Sequence, residues 1–392
     1  MKKKLLILGA GIYQVPLIRK AKELGLYTIV CSIPGNYPGF READQRYGVD
    51  TTDKDAILEI AQREKIAGIC TAGTDVAIPS VGFVCEKMGL SGVRYESALN
   101  ATDKLRMKRA FRAKHVSTAE FREINSLEEL RETYRLFLKP AILKVTDKSG
   151  SRGIVKIEDE ADLESAYSYC REASNQSVFL LEEFIDANEI GVDGFVQNGK
   201  LELYLPHKKN VISNGKTDIP LGHEFPLALT EQQDKNLREE IQKAICALGL
   251  ENCAFNADVF TDGNKIYIIE MGARSGATGI PELISIYCGF DYYEKMLRAA
   301  LGEHVDFSYG EKITPCISQL LFSRKEGILE DITIPEMSGV NVTIDVQPGE
   351  YVDKIRNGTS RIGQIVVSGE TLEQAREKLN MFLERCEIVL RQ

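Results

Sequence analysis

Short apolar runs alternate with longer amphipathic segments through the first hundred residues. The apolar runs have the length of buried strands and occupy residues 4–8 (KLLIL), 27–31 and 66–71. The amphipathic segments have the spacing of helices and occupy residues 15–24, 56–64 and 77–88. Strands separated by helices predict a parallel sheet with right-handed crossovers, so we expect an α/β unit here.

The pattern changes after residue 100, where strands and helices stop alternating strictly. Residues 102–114 (TDKLRMKRAFRAK) are basic and helical, and Thr102 is expected to cap this helix. Further helices are predicted at 127–137, 161–173 and 372–384. Strands are predicted at 141–145, 154–157, 177–184, 189–197, 254–260, 265–271, 313–323, 340–346 and 363–367. This mixture indicates an α+β architecture.

Length and composition narrow the class of protein. A chain of 392 residues favours two or three domains, and 43% hydrophobic with 27% charged residues is typical of a folded protein. The net charge of −9 argues against a nucleic-acid binder or a binder of anionic membranes. Nine scattered cysteines without metal-ligand spacing indicate reduced thiols and a cytoplasmic location. The N-terminal apolar run is too short for a signal peptide or a membrane span.

The first candidate motif is GAGIYQ at residues 9–14, between a predicted strand and a predicted helix. Glycines at this position allow the backbone to approach a phosphate at a helix N-terminus. A dinucleotide-binding fingerprint needs a third glycine where this chain has Gln14, and an acidic residue where it has Cys31 and Ser32. A tight turn beside a substrate groove is therefore favoured over nicotinamide binding.

Two further stretches carry charge beside predicted strands. In KVTDKSGSRG (144–153) a lysine at a strand end precedes a glycine-rich loop, which can bind phosphate through its N–H groups. A solvated hairpin loop is the alternative. In LLEEFIDANE (180–189) carboxylates follow an apolar strand; they could bind an exocyclic amine and ribose hydroxyls, or face water.

A predicted hairpin between residues 255 and 274 contains Asp258 and Glu270. A two-residue turn would put these carboxylates on opposite faces, whereas a three-residue turn at 262–264 pairs 258 with 268 and 256 with 270. The second register places Asn256, Asp258, Ile268 and Glu270 on one face. Oxygen ligands without Cys or His suit Mg²⁺. A surface hairpin is the alternative, but the glycine-rich loop that follows, with Arg274, argues against it.

These stretches, in this order, resemble the ATP-grasp superfamily of carboxylate–amine (or thiol) ligases. The resemblance covers nearly the whole chain. It implies a Rossmann-like preATP-grasp domain at 1–100, an ATP-grasp fold at 101–305 with a lid subdomain at about 115–183, and a small C-terminal α+β domain at 306–392.

The resemblance also implies an ATP site. Lys104 in TDKLRM and Lys144 would contact phosphates, Glu182 and the backbone of Glu183 and Ile185 would contact adenine, and Glu189 would contact ribose. The glycine-rich lid over the phosphates corresponds to Ser149, Gly150, Ser151, Arg152 and Gly153.

The family pattern E-x-N-x-R corresponds to residues 270–274 and implies that Glu270 and Asp258 bind Mg²⁺, with Mn²⁺ as an alternative. Gly272 replaces the usual asparagine, and Asn256 is the candidate substitute ligand on pleat grounds. Arg274 and Lys144 are the expected catalytic residues, Arg274 clamping a carboxylate or acyl phosphate bidentately.

The implied activity is ATP-dependent joining of a small carboxylate to a small amine through an acyl phosphate. Lys208 and His223 are candidate substrate residues in a predicted long polar loop at 206–224, which also holds His207 and Lys209. Arg361, in SRIG, resembles a segment in L-amino acid ligases that reaches the active site. The alternatives are a glycinamide ribonucleotide synthetase-like or carboxylase-type enzyme, or a non-catalytic ATP sensor. Relatives of this kind often form dimers, which implies a homodimer.

Overall fold

The computed structural model describes residues 2–391 except 138, 148–152, 214–217, 264 and 357–359. Its N-terminal part is a parallel four-stranded sheet in the order β3-β2-β1-β4. The strands are β1 (Lys4–Leu8), β2 (Tyr27–Ser32), β3 (Gln45–Gly48) and β4 (Gly68–Cys70). The helices are α1 (Val15–Glu23), α2 (Pro38–Glu42), α3 (Lys54–Glu64), α4 (Ile78–Met88) and α5 (Tyr95–Asn100). The predicted α/β unit is confirmed.

Strand β1 shows why this sheet needs cover on both faces. Leu6 and Leu8 pack into one apolar cluster, whereas Leu5 and Ile7, which point the other way, pack into a second. All four side chains are fully buried. A continuous apolar run is what a parallel strand with two covered faces requires.

Helix α6 (Lys104–Ala113) leads into a small antiparallel sheet in the order β5-β8-β6-β7. Its strands are β5 (Phe121–Ile124), β6 (Ala141–Val145), β7 (Ile154–Ile157) and β8 (Phe179–Glu183). Helices α7 (Leu127–Leu136) and α8 (Leu163–Ala173) contribute to the separate apolar core of this sheet. The N-cap of α6 is Asp103, which accepts the Arg106 N–H, and not Thr102 as expected.

The large sheet has eight strands in the order β13-β12-β9-β10-β11-β14-β18-β16. They are β9 (Asn188–Gln197), β10 (Lys200–Ser213), β11 (Asp218–Phe225), β12 (Cys253–Thr261), β13 (Ile266–Gly272), β14 (Cys316–Leu321), β16 (Val340–Ile344) and β18 (Gly363–Ser368). The remaining helices are α9 (Glu231–Leu248), α10 (Ile280–Cys288), α11 (Tyr292–Ala300) and α12 (Leu372–Arg385). A three-stranded sheet of β17 (Tyr351–Val352), β15 (Gly327–Thr333) and β19 (Glu387–Arg391) completes the described fold.

The large sheet runs across the predicted boundary between residues 305 and 306, because β11 pairs with β14 and β14 pairs with β18. The bounds of the three domains stay predictions. Within the described residues, no helix combines the length and apolar character that a membrane span needs. All nine cysteines are free thiols.

The predicted polar loop at 206–224 is wrong. Residues 206–213 continue β10, and residues 218–224 lie in β11, which pairs with it. The polar residues misled the prediction because this hairpin has one face toward solvent and the other toward a charged cleft. Both faces carry polar side chains, so the apolar–polar alternation that identifies a half-buried strand is missing.

Candidate active site

A cleft of about 770 Å³ opens between the N-terminal sheet, the small sheet and the large sheet. A volume of this size is enough for a nucleotide-sized ligand. One part of its wall is apolar and consists of Met107, Ile142, Ile154, Ile185 and Ile269. Another part is densely charged, with basic residues Lys104, Lys108, Lys144, Lys209, Arg274 and Arg356 and acidic residues Asp75, Glu182, Glu189, Asp258 and Glu270.

Glu182 anchors the end of the cleft that lies against the small sheet. Its Oε2 is 2.9 Å from Lys144 Nζ and 3.3 Å from Lys108 Nζ, and only 2% of its side chain is exposed. Burial alone would raise the pKa of Glu182, but the two ammonium groups outweigh it and lower that pKa. Burial lowers the pKa of Lys108 to about 8. This cluster therefore holds one carboxylate between two lysines.

The hairpin of β12 and β13 brings Asp258 and Glu270 directly opposite each other. The expected register, 258 with 268 and 256 with 270, is wrong, because a bulge next to Val259 inserts one extra residue on β13. Asn256 therefore lies opposite Gly272. The bulge also turns Ile269 toward the cleft, while Ile268, expected on the carboxylate face, is fully buried in the core.

A lysine holds each of these two carboxylates. Lys104 Nζ lies 3.1 Å from Glu270 Oε1, and Lys209 Nζ lies 2.8 Å from Asp258 Oδ1 while also pairing with Glu189. Burial opposes the charged form of both lysines, yet the neighbouring carboxylates raise their pKa. Burial would likewise raise the pKa of Asp258, and Lys209 lowers it. Lys104, Lys209 and Asp258 are thus held in their charged forms.

The donors on this face suit Mg²⁺. Among the described residues no group of three or more His, Cys, Asp or Glu side chains is placed to hold a metal ion. Mg²⁺ typically binds one or two carboxylates and completes its octahedron with phosphate oxygens and water. Asp258 and Glu270 meet that requirement, and the lysine ammoniums beside them show that the face attracts cations.

Most N–H groups of the Arg274 guanidinium donate hydrogen bonds to neighbouring residues. Its Nε and Nη2 donate to the two oxygens of Asp75 at 2.7 and 2.8 Å, and its Nη1 donates to Asn256 Oδ1 at 2.9 Å and the Ser275 carbonyl at 3.3 Å. Asp75 lies in the loop after β4, 199 residues away along the chain. Burial would lower the pKa of Arg274, but Asp75 raises it.

A buried carboxylate, Asp193, ties three segments together beneath the cleft. It accepts hydrogen bonds from His207 Nε2 at 3.0 Å, from Asn256 Nδ2 at 2.7 Å and from the Gly276 N–H at 2.8 Å. His207 meets His223 edge to face at 4.8 Å between ring centroids. Burial, with His207 and Lys209 nearby, lowers the pKa of His223 well below its usual value, so this ring is neutral. Among the described residues neither Nδ1 atom has a hydrogen-bond partner.

The glycine-rich turn after β1 is filled by its own glutamine. Gln14 Oε1 accepts the Gly11 N–H at 2.9 Å, and Gln14 Nε2 donates to the Ala72 carbonyl. A β-carbon on Gly9 would lie 2.9 Å from Gln14 Oε1. The amide therefore occupies the concave side of the turn where a pyrophosphate would bind, which supports a tight turn and argues against a dinucleotide.

The structure brings most of the expected residues together around the cleft. The lining contains Lys104, Lys144, Glu182, Glu183, Ile185, Glu189, His223, Asn256, Asp258, Glu270 and Arg274. The Glu183 N–H donates to the Glu120 carbonyl at 2.9 Å, so that amide is not available to adenine. Of the expected lid residues, Ser149, Gly150, Ser151 and Arg152 lie outside the described part of the chain. Gly153 closes the β6–β7 hairpin with φ +69°.

Two expected substrate residues lie elsewhere. The side chain of Lys208 is 51% exposed beside Glu224, because neighbouring residues on β10 point to opposite faces and Lys209 takes the cleft side. Arg361 is buried behind the cleft wall, where it pairs with Asp345 at 2.7 Å and lies over the ring of Tyr13 at 4.7 Å. Tyr13, which Arg361 contacts, lines the cleft.

Sequence reasoning missed three residues at this site, Lys108, Asp193 and Asp75. Lys108 lies one helical turn after Lys104 on α6, and Asp193 lies four residues after Glu189 on β9, so each shares a face with a recognised residue. His207 and Lys209 had no assigned role in the sequence, and both line the cleft. Asp75 had no signal at all, because nothing in the local sequence connects it with Arg274.

Models of known protein families match two parts of the chain. Residues 137–282 match an ATP-grasp domain, and residues 319–391 match the L-amino acid ligase C-terminal domain 2. The first match contains Lys144, Glu182, Asp258 and Glu270, and the second contains Arg361.

Curated proteins and solved structures extend the likeness to the full chain. The formate-dependent phosphoribosylglycinamide formyltransferase of Nitratiruptor sp. is 24% identical over 97% of this chain and 96% of its own length. The alanine–anticapsin ligase of Bacillus subtilis is 25% identical over 67% of this chain and 60% of its own length. The crystal structure of phosphoribosylglycinamide synthetase from Anaerococcus prevotii covers 100% of both chains, with a TM-score of 0.86 and 29% identity.

Proposed function

We propose that this chain, which belongs to the ATP-grasp superfamily, is a ligase that uses ATP and Mg²⁺ to join a small carboxylate to a small amine. The product is an amide or peptide, formed through an acyl phosphate. The main observation behind this proposal is that one cleft is lined by Lys104, Lys144, Asp258 and Glu270.

The charged groups suit phosphoryl transfer, which depends on positioning and on neutralising developing charge. Lys144, held beside Glu182, and Lys104, held beside Glu270, would bind phosphate oxygens of ATP. Glu189, at the start of β9, would accept from the ribose hydroxyls. The apolar wall around Ile142 and Ile154 would cover the adenine ring.

Asp258 and Glu270 would hold Mg²⁺, which would supply neutralisation of the phosphate oxygens. Lys209 and Lys104 already neutralise these carboxylates in the structure, so nucleotide binding would exchange ammonium–carboxylate contacts for ammonium–phosphate contacts. Charge-assisted contacts of both kinds are strong and directional. Little net charge is therefore left uncompensated at any stage.

Arg274 is the proposed contact to the reacting carboxylate or acyl phosphate. It lies in the loop directly after the metal-binding face, at the boundary between the nucleotide end of the cleft and the loop that holds Asp75. His223 and Tyr13 line the cleft as well and are proposed to border the substrate space.

The names of the relatives fit this class of reaction. Formate, named in one of them, is a carboxylate and glycinamide carries an amine, while alanine, named in another, carries both groups. The match to the L-amino acid ligase C-terminal domain favours amino acids as substrates. A glycinamide ribonucleotide synthetase-like activity is the second candidate, favoured by the 29% identity to the Anaerococcus enzyme over the full chain. The unpaired thiols support a cytoplasmic enzyme, and the homodimer stays a prediction.

The test is release of phosphate from Mg²⁺-ATP in a screen of amino acids and nucleotide-derived acids against a panel of amines. Release that requires both an acid and an amine supports the ligase, and the productive pair distinguishes the two candidates. Asp258→Asn and Lys144→Ala should abolish release while the circular dichroism spectrum shows that each variant is folded, and Lys235→Ala, an exposed lysine on α9, should retain full activity. Nucleotide binding without phosphate release from any pair would instead indicate a sensor.

A further inference from the structure

Gly272 stands where the E-x-N-x-R pattern has asparagine. The backbone conformation at this position does not require glycine. The residue ends strand β13 and is not among the glycines with positive φ. Any L-amino acid could adopt this extended backbone. The reason for a missing side chain must therefore lie in the surroundings.

Asp75 occupies the space that a side chain at position 272 would need. A β-carbon built on Gly272 would lie 2.8 Å from Asp75 Oδ1, well inside normal contact distance. The end of an aspartate could normally move aside at little cost. Here both oxygens are held by the guanidinium of Arg274, at 2.7 and 2.8 Å, so moving the carboxylate would break a partly buried bidentate ion pair.

The carboxylate of Asp75 also lies on the face of the sheet that carries the metal-binding residues. Gly272 is two residues beyond Glu270 and therefore shares its face, and it lies opposite Asn256. Asp75 contributes, with Glu270, to the raised pKa of Lys104. An acidic group from the N-terminal sheet thus stands where the asparagine side chain of the family pattern would project.

The pairing with Asp75 limits how many hydrogen-bond donors Arg274 can offer to a ligand. Of its five N–H groups, two donate to Asp75 and two to Asn256 and Ser275, so one Nη2 hydrogen is left among the described contacts. A fork with a single remaining donor cannot clamp a carboxylate bidentately. Asp75 therefore fixes both the orientation of Arg274 and the number of donors it presents.

We propose that Asp75 is the positioning residue of Arg274, and that it replaces, from the N-terminal sheet, the asparagine that Gly272 lacks. Residue 272 is glycine because Asp75 takes its space. The inference rests on the proposed function in one respect, that Arg274 contacts the reacting group. Orientation of Arg274 then depends on the loop after β4 being docked against the end of β13.

The test is a compensation experiment with Asp75→Ala, Gly272→Asn and the double variant. Each single change should lower kcat by about 100-fold, the cost of misplacing an active-site group by an ångström, while KM for ATP changes less than threefold. In Gly272→Asn the new side chain displaces the Asp75 carboxylate. In the double variant the new amide oxygen can stand close to the former position of Asp75 Oδ1 and accept from Arg274 Nε. We expect the double variant to regain at least tenfold in kcat over Gly272→Asn.

The overturning result is a double variant no faster than the slower single variant, since independent effects would multiply. Asp55→Ala, at an exposed aspartate on α3, is the matched control and should behave as wild type. If wild type releases no phosphate with any acid and amine, the proposed function has failed and the inference is decided by melting temperature. The double variant should then melt above Gly272→Asn, because the clash is relieved. A lower or equal melting temperature would overturn the inference by itself.

Discussion

Lys209 and Lys208 are neighbours on β10, but the first lies in the cleft and the second faces solvent. Replacing each in turn measures how much the ammonium of Lys209 stabilises the carboxylates of the cleft. Lys209→Met removes the ammonium between Asp258 and Glu189, and Lys208→Met removes one that lies beside Glu224 on the solvent side. Methionine keeps the length and apolar stem of lysine, so charge is the main difference.

The expected loss of stability depends on how far the side chains of each ion pair are exposed to solvent. Loss of one partner from a fully buried pair costs about 3–5 kcal/mol, and loss of an exposed pair costs about 0–1 kcal/mol. The Lys209 side chain is 9% exposed, but its partners Asp258 and Glu189 are 36% and 28% exposed, so water screens part of the loss. We expect Lys209→Met to lower the free energy of unfolding by about 2 kcal/mol, and Lys208→Met by less than about 1 kcal/mol.

Urea unfolding followed by circular dichroism, first in EDTA and then with MgCl₂, measures both values. In Lys209→Met, Asp258 lacks its ammonium partner and should, together with Glu270, bind Mg²⁺ more tightly than in wild type. Mg²⁺ at about 30 times its Kd would restore about 2 kcal/mol. Equal stability of the two variants in EDTA, or equal stabilisation of wild type and Lys209→Met by Mg²⁺, would refute the assignment of this face as a cation site.

Two further predictions concern other parts of the site. Burial lowers the pKa of Lys108 to about 8 in the folded chain, below the value of 10.5 that it has when exposed, so the unfolded chain binds one more proton and wild-type stability should rise between pH 8 and 10.5. In Lys108→Met, urea unfolding should show a slope of stability against pH that is smaller by about 1.4 kcal/mol per pH unit. An unchanged slope would show that Lys108 does not titrate in this range. Gly153→Ala should raise KM for ATP at least tenfold, because the new β-carbon would lie 2.4 Å from Val145 Cγ2 and shift the hairpin that carries Lys144. The control is Gly199→Ala, which has a similar φ but open space around its β-carbon and should leave KM unchanged. Equal KM values for the two variants would contradict this account.

The sequence predicted the N-terminal α/β unit because its signals are local, and apolar runs identify β1 and β2. Most of the expected site residues came from the resemblance to the ATP-grasp superfamily, which assigns Lys144 and Glu182 to one nucleotide site. Their direct pairing required the register of β6 with β8.

The errors arose where an outcome depends on partners distant in sequence. The β12–β13 register turned on one bulged residue, and the β10–β11 hairpin was hidden because its buried face is polar. The choice between Lys208 and Lys209 required the strand that the loop prediction had removed. The pairing of Asp75 with Arg274 brings together residues 199 positions apart, and no local pattern records it.

The hydrogen bonds between β11 and β14 join residues 306–392 to the sheet that lines the cleft. The backbones approach so closely that a β-carbon on Gly222 would fall 1.8 Å from the Ser318 carbonyl oxygen. Grafting residues 306–392 from another enzyme to change substrate preference would thus also replace the neighbour of the strand that presents His223. Domain swaps should keep β14 native, because a replacement strand that pairs poorly with β11 would leave an exposed, aggregation-prone sheet edge beside the cleft.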